Sequence, residues 1–280
     1  MLTNNTREKL FKAFLWLSGL FIVAILFIII AYITVKGVSA ISLDFIFQAP
    51  SRAGKEGGIW TTIVSTVYLT LVSLIIAVPV GVGTAIHLEE YSQRNSWFAD
   101  LVDLTAETLA GIPSIVFGLF GFVFFVIFLQ MGWSIISGSL TMAIMILPTI
   151  TRTAQEAILA VPTEYRENSL ALGASKWQTI SRVVLPSAVP GIITGIILSI
   201  GRAVGETAAL ILTAGSSLGM PGGFLDPART MSVHLYILAM EGISMDRAFG
   251  TAFLIILLIV IINYLANLSL RRMSHVSRQM

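Results

Sequence analysis

Long apolar segments recur along this chain, and they constrain its fold more than any other feature. Each has about 20 residues or more, the length that an α-helix needs to cross the hydrocarbon core of a bilayer. Only 11% of the 280 residues are charged, whereas about a quarter are charged in soluble domains. The sequence therefore predicts an all-α membrane protein. Its six transmembrane helices are predicted at residues 13–35, 59–87, 108–130, 134–160, 189–214 and 248–270.

Basic residues are distributed unevenly between the two sides of this predicted helix bundle. Six spans place both termini on one side of the membrane, and that side carries eleven Lys and Arg residues against five on the other. The positive-inside rule makes it the cytoplasmic side. Residues 1–12 and 271–280 are accordingly predicted to be the cytoplasmic ends of a single domain over residues 13–270. A signal peptide, the alternative for the first apolar segment, would be shorter and would end in a small-residue cleavage site.

Patterns for catalysis or metal binding are weak. The chain has no cysteine, which excludes disulfides and thiolate metal sites. Gly54-Lys55-Glu56 lacks the upstream Gly and the Ser/Thr of a P-loop. Residues 215–219 fit Gly-x-Ser-x-Gly but follow a membrane helix rather than a strand, which favours a flexible external loop. A solvated cytoplasmic face is predicted for the acidic residues Glu89, Glu90, Asp100 and Asp103. The sequence predicts no catalytic residue, metal site or cofactor.

One polar stretch, residues 161–187, interrupts the apolar sequence between the fourth and fifth predicted spans. Thr163 is predicted to cap a short helix whose first turn holds Glu164 and Glu167, because the helix dipole favours carboxylates there. Gly173 suits the left-handed position that follows a helix. The alternative is an ordinary amphipathic surface loop.

A second short helix is predicted in the same stretch. Ser175 and Gln178 are three residues apart, the spacing of a capping box, and Pro186 is expected to end the helix that they open. The stretch is therefore predicted to be an ordered helix–turn–helix outside the hydrocarbon.

This stretch resembles the signature of the membrane subunits of ABC importers: Glu-Ala-Ala, three residues, Gly, nine residues, Ile, one residue and Leu-Pro. Glu167, Gly173 and Leu185-Pro186 fall at these spacings, with small or conservative replacements elsewhere. In that family the first short helix is the coupling helix, seated in a groove of the ATPase subunit. The resemblance implies that the residues of ATPase coupling are Thr163, Glu164, Arg166, Glu167, Leu170, Gly173, Ala174, Ser175 and Pro186.

Two charged residues lie inside the fifth predicted span. A charge at the bilayer centre costs about 2.5–3.5 kcal/mol on insertion scales, so Arg202 is expected to face protein or water. Glu206 follows at i+4, where it would share a helix face with Arg202. Gly191 and Gly195 lie on that face and would let another helix approach closely. A structural ion pair and a substrate pathway are both compatible with this pattern.

Arg152 and Glu156 repeat the i,i+4 spacing where the fourth span approaches the cytoplasm. A positive residue is also expected at a cytoplasmic interface, whatever its function. Two arginines with glutamates nearby suit an anion pathway, since guanidinium groups bind phosphate-type oxygens in pairs.

Several runs resemble the A-type permeases of bacterial phosphate ABC importers: residues 57–60, 110–118, 147–153, 190–195 and 201–209. The resemblance implies the type I importer permease (MetI-like) fold. In that family the matching arginines and the glutamate of the Arg-x-x-x-Glu pair are implicated in phosphate passage. The implied substrate pathway comprises Arg202, Glu206, Arg152 and Glu156.

The same resemblance implies the partners of the chain. They are a second, homologous permease subunit in a heterodimer, two ATP-binding cassette subunits and an external phosphate-binding protein, assembled in the inner membrane. ATP would be bound and hydrolysed by the partner, so this chain is predicted not to be an enzyme, and no nucleic acid is expected. The alternatives are a permease for sulfate or molybdate and a stand-alone secondary transporter, which would have no use for an ATPase dock.

Overall fold

A computed structural model describes residues 4–92 and 97–277, which are helical over most of their length. The ends of the predicted cytoplasmic termini, residues 1–3 and 278–280, lie outside the described residues. The α-helices are α1 (Asn4–Val38), α2 (Leu43–Phe47), α3 (Trp60–Ile86), α4 (Trp97–Gly111), α5 (Ser114–Gly121), α6 (Ile135–Leu159), α7 (Thr163–Ala171), α8 (Lys176–Thr179), α9 (Leu185–Gly205), α10 (Ala208–Thr213), α11 (Met231–Met240) and α12 (Met245–Ser277).

Shorter elements connect these helices. Three π-helical segments continue α3, α5 and α8, and we name them π1 (His87–Tyr91), π2 (Phe122–Phe128) and π3 (Ile180–Val184). A small antiparallel hairpin precedes α3, with β1 (Pro50–Ser51) and β2 (Glu56–Gly57) in a register that pairs Pro50 with Gly57.

Five helical segments of the described chain are long and apolar enough to cross a membrane. They are Phe11–Val38, Trp60–Tyr91, Ile135–Leu159, Lys176–Gly205 and Met245–Leu268. The predicted all-α membrane fold is thereby confirmed. A sixth span results if the bent pair Ala99–Gly111 and Ser114–Phe128 is counted as one.

The third predicted span, residues 108–130, is not a single straight helix. The chain bends by 104° between α4 and α5, at Pro113, whose backbone has the extended ψ of 140°. A proline disfavours helical geometry at the residue before it, so α4 ends at Gly111 and Ile112 does not continue it into α5. The apolar sequence is thus divided between two helices that run in different directions.

The core is centred on α6, which packs against α3, α4, α5, α9 and α10. Two-thirds of the most apolar part of α6 is buried, whereas none of the corresponding part of α1 is. α1 packs along α12, and its exposed side chains are apolar, as a lipid-facing helix requires. Burial therefore increases from the periphery towards α6.

Two glycines bring the backbone of α9 close to α6. A Cβ added to Gly195 would lie 1.8 Å from Thr153 Oγ1, and one added to Gly191 would lie 2.5 Å from the Cβ of Ala157. This confirms the close helix approach predicted for both glycines. Gly201 and Gly205 have nothing within 4 Å of such a Cβ among the described residues, so no helix of that part of the chain packs there.

The segment between α10 and α12 is attached to α3 by two hydrogen bonds. The predicted flexible loop at residues 215–219 is held by Leu218, whose carbonyl accepts a hydrogen bond from Thr61 Oγ1 at 3.0 Å. The N–H of Met231, at the start of α11, donates to Thr66 Oγ1 at 2.9 Å. Sequence reasoning missed α11, because its ten residues are too few to span a membrane. The segment lies at the end of α3 opposite to π1.

Candidate functional site

The first short helix of the polar stretch forms as α7, but it starts differently from the prediction. Pro162 occupies the cap position and makes no side-chain hydrogen bond, and Thr163 is already the first helical residue. The predicted cap at Thr163 is therefore wrong, since the fixed φ of proline starts the helix one residue earlier. Glu164 lies in the first turn as predicted, whereas Glu167 lies in the second.

The end of α7 has the predicted geometry. Gly173 has a φ of +84°, which only glycine adopts at little cost. Its N–H donates to Leu170 O at 2.9 Å, and the N–H of Ala174 donates to Ser169 O at 3.2 Å. These two bonds define a Schellman motif, which satisfies carbonyls that the helix end would otherwise leave unpaired.

The capping box of α8 is also confirmed. The N–H of Ser175 donates to Gln178 Oε1 at 2.8 Å, and the N–H of Gln178 donates to Ser175 Oγ at 3.3 Å. The hydroxyls of Ser169 and Thr179 lie 2.9 Å apart and join the two short helices. The loop is therefore ordered by its own hydrogen bonds.

The sequence had predicted that Pro186 ends the second helix, and this prediction is wrong. α8, π3 and α9 form one continuous span, Lys176–Gly205. The N–H of Leu185 donates to Ile180 O, five residues back. The wider π turn before Pro186 relieves the clash that the proline ring would otherwise make with the carbonyl four residues earlier. The fifth span therefore begins 13 residues before its predicted start and ends at Gly205.

Large apolar side chains are exposed on this otherwise polar loop. We call them the docking face: Tyr165, Leu170, Leu172 and Trp177, which are 51%, 49%, 90% and 61% exposed. No residue of α7 is buried. Apolar patches outside the hydrocarbon are typical of surfaces that bind another protein.

Arg166 differs from the rest of α7, because its guanidinium faces its own chain. Its Nε donates to Glu90 Oε1 at 2.9 Å, its Nη1 to Val161 O at 2.8 Å and its Nη2 to Ile158 O at 2.9 Å. The sequence had placed Arg166 among the ATPase contacts. In the structure its guanidinium contacts the end of α6 and π1.

Acidic residues next to Arg166 are not all solvated as predicted. The Glu90 side chain is only 9% exposed. Glu89 and Asp103 both accept hydrogen bonds from Gln155 Nε2, at 3.2 and 3.1 Å. Asp100 is exposed, in agreement with the prediction.

Sequence reasoning missed the roles of Glu90 and Gln155 at this end of the fold. The available signal was that Glu89 and Glu90 directly follow a span of membrane length, where a carboxylate needs a hydrogen-bonding partner. Because Glu90 and Arg166 are 76 positions apart in the sequence, that partner could not be identified from the sequence.

Arg202 and Glu206 do not share a helix face. α9 ends at Gly205, and the backbone of Glu206 is extended, with φ −72° and ψ 129°. Glu206 Oε1 accepts the N–H of Ala209 at 3.1 Å and so caps α10. Arg202 is partly buried in the last turn of α9, where its charge complements the helix dipole. The described residues contain no ion pair between the two side chains, which makes the predicted pairing wrong.

Arg152 has a different carboxylate partner from the predicted one. Its Nη2 lies 3.8 Å from Glu107 Oε2 of α4, with both side chains exposed, and Glu156 is exposed as well. An exposed pair at this distance contributes about 0–1 kcal/mol. The four predicted pathway residues are thus distributed over separate positions: Arg152 and Glu156 on α6, Arg202 in the last turn of α9, and Glu206 just after α9.

A cavity of about 690 Å³ lies between α3, α4 and α6. Its lining is mostly apolar, with polar groups from Thr84, Thr105, Thr151 and His87. Arg152 and Arg202 are not among its lining residues. Its lining includes His87 and Leu88 of π1, at the end of the fold that carries α7 and α8.

Comparison with known proteins gives consistent results. The family described as binding-protein-dependent transport system inner membrane component matches residues 77–275. A probable ABC transporter permease protein, YqgI of Bacillus subtilis, is 34% identical over 95% of this chain and 96% of its own. The phosphate transport system permease protein PstA of Haemophilus influenzae is 30% identical over 95% of this chain and 94% of its own.

Solved structures share the fold. A chain of a bacterial alginate ABC transporter, in complex with an alginate pentasaccharide-bound periplasmic protein, superimposes with a TM-score of 0.71 at 18% identity. The match covers 95% of each chain. The predicted importer-permease architecture is therefore confirmed.

Proposed function

The chain belongs to the family of binding-protein-dependent transport system inner membrane components, and we propose that it forms part of the membrane pathway for inorganic phosphate in an ATP-driven importer. It is a membrane permease subunit of an ABC importer. The observation that carries phosphate as the substrate is the Haemophilus influenzae phosphate permease, which aligns over 95% of the chain.

The chemistry of Arg202 supports an anionic substrate. This partly buried guanidinium has no carboxylate within ion-pair distance in the described part of the chain. A guanidinium offers two parallel N–H donors to a tetrahedral oxyanion. Glu206, the residue that directly follows α9, completes the proposed pathway together with the exposed Arg152 and Glu156. Carboxylates nearby keep the anion from being held too tightly to leave.

The docking face supports coupling to a separate ATPase subunit. Thr163, Glu164, Glu167 and Leu170 lie exposed on α7, and the Schellman turn at Gly173 with the cap at Ser175 holds the next helix at a fixed angle. ATP would be bound and hydrolysed by the partner, so this chain supplies no catalytic residue. Two ATP-binding subunits would be required if a second permease carries an equivalent loop.

The open glycines support a second permease subunit. Gly201 and Gly205 flank Arg202 and have no neighbour within 4 Å of an added Cβ, and small residues allow helices of another subunit to approach. We propose a heterodimer with a homologous permease, supplied with phosphate by an external binding protein. The alginate transporter, which was solved with its periplasmic protein, has this kind of partner.

We also propose that the coupling loop and both termini face the cytoplasm of a cell whose inner membrane holds the complex. Arg166 contacts Glu90 at one end of the α3–π1 span, and Leu218 contacts Thr61 at the other. A cysteine in place of Gly222 should therefore react with an impermeant thiol reagent from outside, and one in place of Asp100 only after permeabilisation. The native chain has no cysteine, so only the introduced thiol of this chain can react. If Asp100→Cys is labelled in intact cells and Gly222→Cys is not, the orientation is opposite to the proposed one.

The substrate is tested by ATP-dependent uptake of radiolabelled phosphate into proteoliposomes that contain the assembled importer. Arg202→Gln should reduce uptake by at least about tenfold, since a hydrogen bond to a charged group contributes about 1.5–3 kcal/mol. Arg202→Lys should also be impaired, because a point charge does not reproduce the paired donors. Arg182→Gln, which changes an exposed arginine of the same chain, is the matched control.

Competition distinguishes the alternatives. Excess unlabelled phosphate should abolish uptake, and sulfate or molybdate should not. If sulfate or molybdate competes and phosphate does not, the chain is a permease for another oxyanion. Uptake that proceeds without ATP and without an ATPase subunit would establish a stand-alone secondary transporter instead.

A further inference from the structure

A cluster of polar side chains joins the coupling helix α7 to α3, α4 and α6. Arg166 of α7 contacts Glu90 of π1, and Gln155 of α6 donates to Glu89 of π1 and to Asp103 of α4. These contacts lie at the end of the fold that carries the docking face, but they belong to the inner side of the loop. These contacts therefore connect the loop to the helix bundle, and a protein that binds the outer side of the loop would leave them intact.

We propose that Arg166 and Glu90 are positioning residues that attach α7 to π1, so that a movement of α7 carries the adjoining half of α3 with it. The inference rests on the proposed function, in which α7 is moved by an ATPase subunit.

The contacts of Arg166 are sufficient to hold α7 in one orientation. Its guanidinium reaches three acceptors: a carboxylate on π1 and the carbonyls of Ile158 and Val161 at the end of α6. Ile158 lies in the last turn of α6 and Val161 follows that helix by two residues, so the guanidinium holds the chain at the point where α6 ends. Charge-assisted bonds of this kind are about twice as strong as neutral ones. Arg166 thus joins α7 to two other elements at once.

A second contact joins the loop to the same segment. Lys176 Nζ, in the first turn of α8, lies 4.9 Å from the centre of the Tyr91 ring, within the range of a cation–π interaction. Both short helices of the loop therefore touch π1, one through Glu90 and one through Tyr91. A rotation of the loop cannot leave π1 unaffected.

The segment that receives these contacts leads directly to the cavity. Residues of α3 and π1 from Pro79 to Leu88 line one wall, and α4 and α6 form the others. Glu89 is bonded through Gln155 to Asp103, so the same cluster reaches all three walls. π-helical turns are frequent at functional sites. Displacement of π1 would therefore change the shape of the cavity.

The test compares phosphate imported with ATP hydrolysed in the complete importer reconstituted in proteoliposomes. Arg166→Lys keeps the charge but cannot reach three acceptors, and Glu90→Gln keeps the shape but removes the charge. Each should lower the phosphate imported per ATP by at least about fivefold, since the lost bond involves charged groups, while the ATPase subunits remain bound. Arg182→Lys and Asp100→Asn, which change exposed residues, should leave the ratio unchanged.

A purely structural role predicts a different result. If both Arg166→Lys and Glu90→Gln lose the ATPase subunits on purification, or if either keeps the wild-type ratio of phosphate to ATP, the proposal is wrong. Failure of the wild-type importer to import phosphate or to bind ATPase subunits would reject the proposed function instead. If the wild type imports sulfate, the ratio is measured with sulfate and the inference is judged in the same way.

A cross-link provides the complementary test. The double variant Glu90→Cys, Arg166→Cys should be uncoupled as purified, and a short bifunctional thiol reagent that joins the two positions should restore the ratio. No other thiol is present in this chain. A cross-linked importer that stays uncoupled would show that rigid attachment of α7 to π1 is not what transport requires.

Discussion

Gly195 of α9 and Thr153 of α6 touch so closely that a Cβ on the glycine would lie 1.8 Å from the threonine hydroxyl oxygen and 2.6 Å from its Cβ. Gly195→Ala must therefore push the two helices apart. Overpacking of this kind typically costs about 1–3 kcal/mol. The expected result is a lower melting temperature of the purified subunit in detergent and less protein in the membrane.

Gly201→Ala is the control for this change, because it lies on the same helix with nothing within 4 Å. Alanine favours a helix by about 1 kcal/mol relative to glycine, so its melting temperature should be unchanged or higher. Equal stability of the two variants would contradict the close contact between α6 and α9.

The second prediction concerns the turn that ends α7. Gly173 has a φ of +84° with open space around it, so a substitution is disfavoured by the backbone and not by crowding. Gly173→Val should cost about 1–2 kcal/mol and should reduce both ATPase binding and uptake. Gly173→Asn should be milder, since asparagine tolerates this conformation. Co-purification of the ATPase subunit measures the effect, and wild-type binding by Gly173→Val would exclude a role of this turn in docking.

A third prediction distinguishes two effects of Glu206: its negative charge and its hydrogen bond to the first turn of α10. Its Oε1 accepts the N–H of Ala209, and a Gln side chain can do the same. Glu206→Ala should destabilise the subunit by about 1 kcal/mol through loss of the cap, whereas Glu206→Gln should keep normal stability. If the carboxylate also influences the anion path, Glu206→Gln alone should change the rate of phosphate uptake. Thermal unfolding and uptake are measured on both variants, and equal melting temperatures would rule out the cap.

The fourth prediction concerns pH. His234 lies in α11, outside the candidate spans, and is fully buried. Burial lowers its pKa to about 4, and Arg229 and Arg247 add to the effect. The unfolded chain takes up a proton near pH 6.5 but the folded one does not. The contribution of His234 to the free energy of unfolding is therefore fully present above about pH 6.5. As the pH falls from there to about pH 4, the free energy of unfolding decreases by up to about 1.4 kcal/mol per pH unit.

The measurement is thermal unfolding in detergent between pH 4 and pH 7. His234→Leu should flatten the curve in this window, because the remaining carboxylates titrate equally in both proteins. An identical pH dependence for the wild type and His234→Leu would show that His234 is not held neutral by the fold.

The features that could be predicted from the sequence are those that neighbouring residues determine. The left-handed turn at Gly173 and the capping box of Ser175 with Gln178 each depend on a few residues, and both are present. The spans follow from apolar length, which the bilayer requires of any helix that crosses it.

The wrong predictions concern features that are determined by contacts between distant parts of the chain. Pro186 is tolerated because π3 widens the backbone before it, and α9 stops at Gly205 because Glu206 caps the next helix. Neither outcome is visible in a hydropathy pattern. The partner of Arg166 lies 76 residues away, and the partner of Arg152 is Glu107 of another helix. The pairing of charges depends on how helices meet, and no local spacing specifies that.

The unbroken span from Lys176 to Gly205 has a mechanical consequence. At about 1.5 Å per residue, Arg202 lies about 40 Å along the helix axis from Lys176. A rigid rod of that length converts a small tilt at one end into a large lateral shift at the other. A tilt of about 5° would move the far end by about 3 Å, which is enough to make or break a hydrogen bond to an oxyanion. Pro186 and Pro190, which could have divided this lever into independent arms, both lie within the span and leave it whole.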